Sequence, residues 1–539
     1  HDVIREVVEA DLGAARQTVL HRRVAEALEQ QQEPLPIELL AYHYTHGGVR
    51  EKAIAYLEQA GDRAQARYAV AAAAGYYREL VACLEEMGRA RDAAHAREKL
   101  GTALDMMARY DEALEVLERA AATFQALGDR DALARALARI GRAHAGRDTP
   151  DAGLARIQPL LSTLGEGDPS PGMAALYAAL TWLFLAANRY AESVAAATQA
   201  ADMARALGNE RILADAEVRR GRALTELGHL EEGRRAAEGA RPLVEAVGDL
   251  STLGRLCNNL GDIYKLQGAF DQSRRYRERA LTLNEQIGEL IGIRWALAGL
   301  GELLFLCGEW EAARVYLEQA VEVTRATGWS LLAGIPLVDL AELHAAMGEW
   351  EQAARYLDGL EDDPKVGPRA QRLLAERDLL EGRPAAARGR LTRFLDGVGW
   401  EKRYLSDLLP LLAWAHLELG DMAQASDLVA RAVAYARAET HRLGLVEALW
   451  VQALVASAQE EWAEAERAVV EGLALARSLP YPYAEGRHLH VSGSMHRQKG
   501  ELELARQRLE EARALFRRLG ACTDAERVDL AIARLQQPQ

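Results

Sequence analysis

The chain repeats itself at a fixed interval. The stretch GEWEAARVYLEQA occupies 308–320 and GEWEQAARYLDGL occupies 348–360, so their starts lie 40 residues apart. The glycine that opens this motif recurs at Gly228, Gly268, Gly308 and Gly348. Going backwards, the same corner falls at NRY (188–190), RDTPD (147–151) and ARYDEA (108–113). Going forwards, one step shortens to 34 residues at Gly382; the corner then appears in GDMAQA (420–425), EEWAEA (460–465) and GELELA (500–505). A second set of breaks lies halfway between, at Gly128, Asp168, Gly208, Gly248, Gly288 and Gly328. Punctuation at this spacing predicts two helices of roughly 15–18 residues per repeat, with a turn after each.

Small residues hold register with the corners. Gly101, Gly141, Gly221, Gly261 and Gly301 stand seven before the corner, with Thr181 and Ala341 in the same slot. Ala113, Gly153, Ser193, Gly233, Ser273, Ala313 and Ala353 stand five after it. Two helices cross closely only where a small side chain lies between their backbones. An aromatic two after the corner (Tyr190, Phe270, Trp310, Trp350, Trp462) plugs the end of the hairpin. Alanine, leucine, arginine and glutamate dominate, and no alternating β-branched run is flanked by hairpin turns, so the predicted class is all-α. With 49% hydrophobic and 27% charged residues, the 539-residue chain has the composition of a folded, soluble protein.

The net charge of −15 argues against nucleic acid as a partner, because phosphate binding needs a basic surface. Cys83, Cys257, Cys307 and Cys522 are too scattered for a zinc site and read as free thiols of a reducing cytoplasm. The most apolar stretch, MAALYAALTWLFLAA (173–187), is too short to span a bilayer. No signal peptide opens the chain, and a first residue of His1 rather than methionine suits a piece of a longer protein. His43 and His46 share a helix face, and His488, His490 and His496 cluster in sequence, but no set completes a credible metal site.

The segment NLGDIYKLQGAFDQSRRYRERAL (259–281) resembles a tetratricopeptide repeat: leucine-glycine, tyrosine, corner glycine, aromatic, small residue and late alanine. The resemblance covers about residues 37–66 and 99–535, with longer helices than the usual 34-residue unit; 67–98 fits less well. It implies a right-handed superhelical solenoid of antiparallel helix pairs with a concave groove. The opening HDVIREVVEADLGAARQTVLHRRVAEALE (1–29) resembles the junction between nucleotide-binding modules and helical sensors in signal-transduction ATPases of the STAND class. These features divide the chain into a junction segment (1–32), divergent repeats (33–98), regular 40-residue repeats (99–360), further repeats after an irregular joint (361–535) and a tail (536–539).

In tetratricopeptide proteins the first helix of each hairpin lines the groove. The resemblance therefore places Arg142, Trp182, Arg222, Asp262, Glu302, Glu342, Glu376 and Trp414 in one inner row. Asn258 falls in a second row, Trp295 and Trp450 in a third, and Phe305 lies a turn along the face of Glu302. Asp262, Glu302 and Glu342 form an acidic ladder about 10 Å apart per layer, with arginines and Trp182 before it. A groove that changes sign along its length orients a ligand carrying both charges. The expected contact set is Trp182, Arg222, Asn258, Asp262, Trp295, Glu302, Phe305 and Glu342.

The expected role is ligand sensing for an upstream ATPase module, by a monomeric chain that takes a small molecule or a protein segment. The alternative is a constitutive scaffold for protein–protein interactions. No enzyme activity and no cofactor are expected. None of the six lysines follows a glycine, so a Gly-Lys-Ser/Thr phosphate loop is absent. A regular solenoid with acids in one slot produces paired carboxylates without any catalytic purpose.

Overall fold

A computed structural model describes residues 13–30, 35–165, 169–326, 334–361, 363, 366–398 and 402–535. Asp168 and Gly328 of the half-way breaks, residues 1–12 and 31–32 of the junction segment and the tail 536–539 lie outside the described residues. Among the described residues all regular structure is helical, arranged as successive antiparallel pairs. Most helices run 16–18 residues, as in Leu250–Leu266, Phe270–Ile287 and Leu290–Leu306.

A left-handed backbone position closes almost every helix, and it recurs every 20 residues. It runs from Gly48 through Tyr68, Gly88, Ala108, Gly128 and Asp148, and on from Asn188 to Gly308. The divergent stretch 67–98 therefore keeps the cadence, at Tyr68 and Gly88, even where its residue types depart from the pattern. After the irregular joint the cadence resumes at Gly420, Thr440, Glu460, Pro480, Gly500 and Gly520. The helix before the joint, Trp350–Leu357, is short, and the helix after it, Gly367–Leu380, carries a proline in its first turn.

The chain divides into two compact units, one of residues 1–187 and 196–213, the other of 188–195 and 214–539. In the first, each helix packs on the next, and Leu117 fills the space over Gly101, where an added Cβ would lie 2.5 Å away. The Glu98 carboxylate, buried there, accepts from Arg139 at 3.0 Å. Trp182 lies half-buried on the Pro171–Ala186 helix of this unit.

The second unit adds a feature absent from repeat-by-repeat stacking. Its first helices also meet helices five hairpins further on: Leu250–Leu266 contacts Arg442–Ala458, and Gly334–Met347 contacts Cys522–Arg534. Phe270, Leu303 and Leu306 share a core cluster with Val446, Ala476, Leu479 and Tyr481. The corners carry the contact. A Cβ on Gly268 would stand 1.8 Å from Leu479 Cδ2, and one on Gly308 would stand 2.7 Å from Leu519 Cδ2. Trp310 is buried, donates from Nε1 to the Phe305 carbonyl at 3.1 Å, and meets Tyr483 edge-on at 5.8 Å. The plug position thus also serves the return contact.

This contact can be separated from backbone strain. Gly268 and Gly288 have nearly equal φ, +74° and +67°, but Gly288 has nothing within 4 Å of an added Cβ. Gly288→Ala should cost about 1–2 kcal/mol, the price of a left-handed alanine. Gly268→Ala should cost a further ~1–3 kcal/mol through overpacking against Leu479. Urea unfolding of the two variants checks this; equal losses would mean that the return contact is absent.

Candidate functional site

The inner side of the second unit is built from the first helices of its hairpins, and the sequence explains why they approach so closely. The small slot of one helix receives the residue sixteen further on, from the second helix. Leu317 lies 2.5 Å from a Cβ built on Gly301, and Leu509 lies 2.6 Å from one on Gly493. In the tetratricopeptide segment 259–281 this apolar knob is replaced by Arg277. Its side chain threads past Gly261 and Gly299, where added Cβ atoms would lie 2.8 Å and 2.2 Å from it. Only 1% of Arg277 is exposed. Its guanidinium donates to Asp262, to Asn258 Oδ1 at 3.2 Å and to the Trp295 carbonyl at 3.2 Å.

Asp262 is therefore held from two sides, by Arg277 and by Arg222 at 2.5 Å. Burial alone would raise its pKa, but Arg277, Arg222 and Lys265 outweigh it and hold the carboxyl well below the usual range. Arg222 also pairs with Glu226 and lies over the Trp295 ring at 5.0 Å, while Arg294 approaches the same ring at 5.2 Å. Asn258 is buried, its Nδ2 donating to the Gly292 carbonyl at 3.4 Å. It braces the layer between hairpins.

The rest of the acidic ladder is likewise paired. Glu302 accepts from Lys265 at 2.5 Å. Glu342 accepts from Arg369 at 2.8 Å and Arg372 at 2.5 Å, and Arg369 also reaches Asp339 at 2.6 Å. Burial pushes the Glu342 carboxyl up, but the two guanidiniums overcome this and bring it down to about 2. Burial, with Glu302 and Glu342 nearby and only Arg369 opposing, raises Asp339 to about 7. Phe305 stacks on Trp310 at 5.7 Å and packs into the return contact.

A second constellation repeats the first, and sequence reading had not assembled it. Arg487 joins Glu376 at 3.0 Å and Glu447 at 3.2 Å, and stacks 3.6 Å over Trp450. Trp414 meets Trp450 edge-on at 5.1 Å. Glu376, Trp414 and Trp450 stood in the expected rows, whereas Arg277, Arg369, Arg372 and Arg487 were missed. A charged residue in the apolar knob position was the available signal for Arg277. The second unit thus brings Arg222, Asn258, Asp262 and Trp295 into one network, with Lys265 reaching from Asp262 at 4.0 Å to Glu302. Glu342 belongs to the neighbouring arginine cluster, and Trp182 to the first unit.

Among the described residues no group of histidines, cysteines and carboxylates has the arrangement of a metal site. The class these features define is an all-α helical-repeat protein whose inner face carries interlocked ion pairs. Residues 254–287 match the family model of the tetratricopeptide repeat, and this segment is such a repeat. Against curated protein sequences the chain finds no match. Among solved structures it is similar to a Rap protein complexed with Competence and Sporulation Factor, at 11% identity and TM-score 0.39, over 75% of this chain and 100% of that one. It is also similar to a STAND protein with a tetratricopeptide repeat sensor from Pyrococcus horikoshii, at 15% identity and TM-score 0.39. That alignment covers 68% of this chain and 55% of the STAND protein. Aspartyl phosphate phosphatase F from Bacillus subtilis aligns at 14% identity and TM-score 0.41, over 65% of this chain and 88% of that one.

Two measurements test the network. Arg277→Ala strips a partner from a buried carboxylate and should destabilise the second unit by about 3 kcal/mol in urea unfolding. A loss below about 1 kcal/mol would mean that Arg277 is solvated. Glu342 has a folded pKa of about 2 against an ordinary 4.5, so its stabilisation is present above 4.5 and is lost as pH falls towards 2. The stability gap between the native chain and Glu342→Gln should therefore be full at pH 7 and shrink below pH 4.5. A gap independent of pH would contradict the pairing.

Proposed function

We propose that the inner face of the second unit is a recognition surface, and that the chain is the ligand-sensing portion of a STAND-type signalling ATPase. The observation that carries this reading is the Arg222–Trp295–Asp262 constellation, half-buried and stitched across neighbouring hairpins. A ligand bearing both charges would exchange partners with Arg222, Asp262, Glu302 and Glu342 and lay an apolar part on Trp295. Asn258 and Phe305 would hold that surface in shape. Because the displaced ion pairs join one hairpin to the next, occupancy would favour one spacing of hairpins over another, which is what a sensor requires. The resemblance of residues 1–29 to a STAND junction supplies the upstream ATPase module. The ligand is a small molecule or a protein segment.

The scaffold reading rests on a different observation. Each member of the ladder is already neutralised within the chain, so a constitutive gripping surface needs no incoming charge. Native mass spectrometry of the purified chain after exposure to lysate of its source tests the site and the kind of ligand, with Arg222→Ala/Trp295→Ala alongside. A small added mass lost in the variant is the expected result. A protein-sized addition lost in the variant would point to recognition of a peptide or protein partner on the inner face, by a sensor or a scaffold, and an addition retained by the variant would remove the site from the inner face.

A further inference from the structure

The last two first-helices of the second unit, Pro482–Gln498 and Cys522–Arg534, line a half-open cavity of about 260 Å³ that the ion-pair network does not use. Its wall contains Arg497, Arg527 and Arg534, with His490 and Ser494 beside them and Leu530 and Ala531 on one side. The helical spacing of Arg487, His490, Ser494 and Arg497 puts them along one face of their helix. Arg487 is consumed by Glu376 and Glu447, whereas among the described residues Arg497 and Arg534 form no ion pair with a carboxylate. Arg527 donates to the Leu380 carbonyl at 2.8 Å, which fixes its direction, and its charge also acts on Asp524. Asp524 is itself engaged by the Tyr483 hydroxyl at 2.9 Å. In a chain of net charge −15, three guanidiniums gathered around one cavity concentrate positive charge at one place.

We propose that this cavity binds the phosphoryl group of a small phosphorylated molecule. Three planar guanidiniums and a hydroxyl offer more donors than a single carboxylate can accept. A tetrahedral dianion has the oxygens to use them, and arginine pairs with such oxygens in a bidentate manner. Burial, reinforced by Arg527, lowers the His490 pKa to about 4, so at neutral pH the imidazole is uncharged and available as a hydrogen-bonding group. Leu530, 60% exposed, and Ala531 give an apolar wall for the organic part of the ligand. The volume is below that of ordinary drug-sized pockets, which suits a small ligand. This site is separate from Arg222 and Trp295 and does not depend on the sensing reading.

Isothermal titration calorimetry with inorganic phosphate, phenyl phosphate and acetate on the full chain tests it, alongside Arg497→Gln/Arg534→Gln. Among the described residues both arginines lack ion pairs, and Arg534 is exposed, so the variant should keep its fold, as circular dichroism melting would verify. Ser494→Asp, which sets a carboxylate among the arginines, is the second variant. Saturable binding of phosphate, weakened by at least ~10-fold in either variant and unchanged in Arg222→Ala/Trp295→Ala, is expected. Tighter binding of phenyl phosphate identifies a phosphomonoester as the ligand, and equal binding identifies free phosphate. Titration without saturation, equal affinity in the arginine variant, or acetate binding as tightly as phosphate would overturn the proposal.

Discussion

The second unit depends on the contact between its corners and the helices five hairpins later. A solenoid that only stacks neighbours is held by nearest-neighbour terms, and its inner face remains in open solvent. Here Gly268 admits Leu479 and Gly308 admits Leu519 and Pro482, because neither presents a Cβ. The contact adds a long-range apolar seam, from Phe270 to Tyr481, to a fold otherwise made of local pairs. It also surrounds the inner face with chain. Charges that an open groove would leave in water must then be matched by charges of opposite sign.

That requirement accounts for the inner face. Taking a carboxylate out of water is costly unless a cation and further hydrogen bonds replace the solvent. Asp262 has Arg277 and Arg222, Glu342 has Arg369 and Arg372, and Glu376 has Arg487. Asp339, with Arg369 as its opposing cation and acids nearby, responds by holding its proton more tightly. The pairs run between different helices, and Arg487 reaches helices that are far apart in sequence. They tie one hairpin to another as well as satisfying their own charge.

The repeat, the helix lengths, the small slots and the plug role of Trp310 were legible in the sequence because each is local and recurs in register. Even the divergent stretch around Tyr68 keeps the 20-residue cadence once backbone conformation is read in place of residue type. The inner rows were read as positions, and the structure ties Arg222, Asp262 and Trp295 into one network, with Glu302 joined through Lys265 and Glu342 held by Arg369 and Arg372. Their partners were not, since pairing depends on which helix faces which, and Arg277 arrives from the second helix of its hairpin through a gap between two glycines. Asn258 was read as groove-lining, yet its amide spans the layer between Gly292 and Arg277. The return contact left no periodic trace, because Leu479 and Leu519 look like any other hydrophobic residue at a helix end.

The central claim is that hairpins about five repeats apart touch. His229 and Glu439 test it most directly, since their side chains approach to 4.0 Å across 210 positions of sequence. The measurement is cross-linking of His229→Cys/Glu439→Cys by a short bismaleimide, with Cys307 and Cys522 replaced by serine, read by peptide mass spectrometry. Fast intramolecular linkage of 229 to 439 at low protein concentration is the result this account predicts. Two separately labelled cysteines with no linkage between them would contradict it.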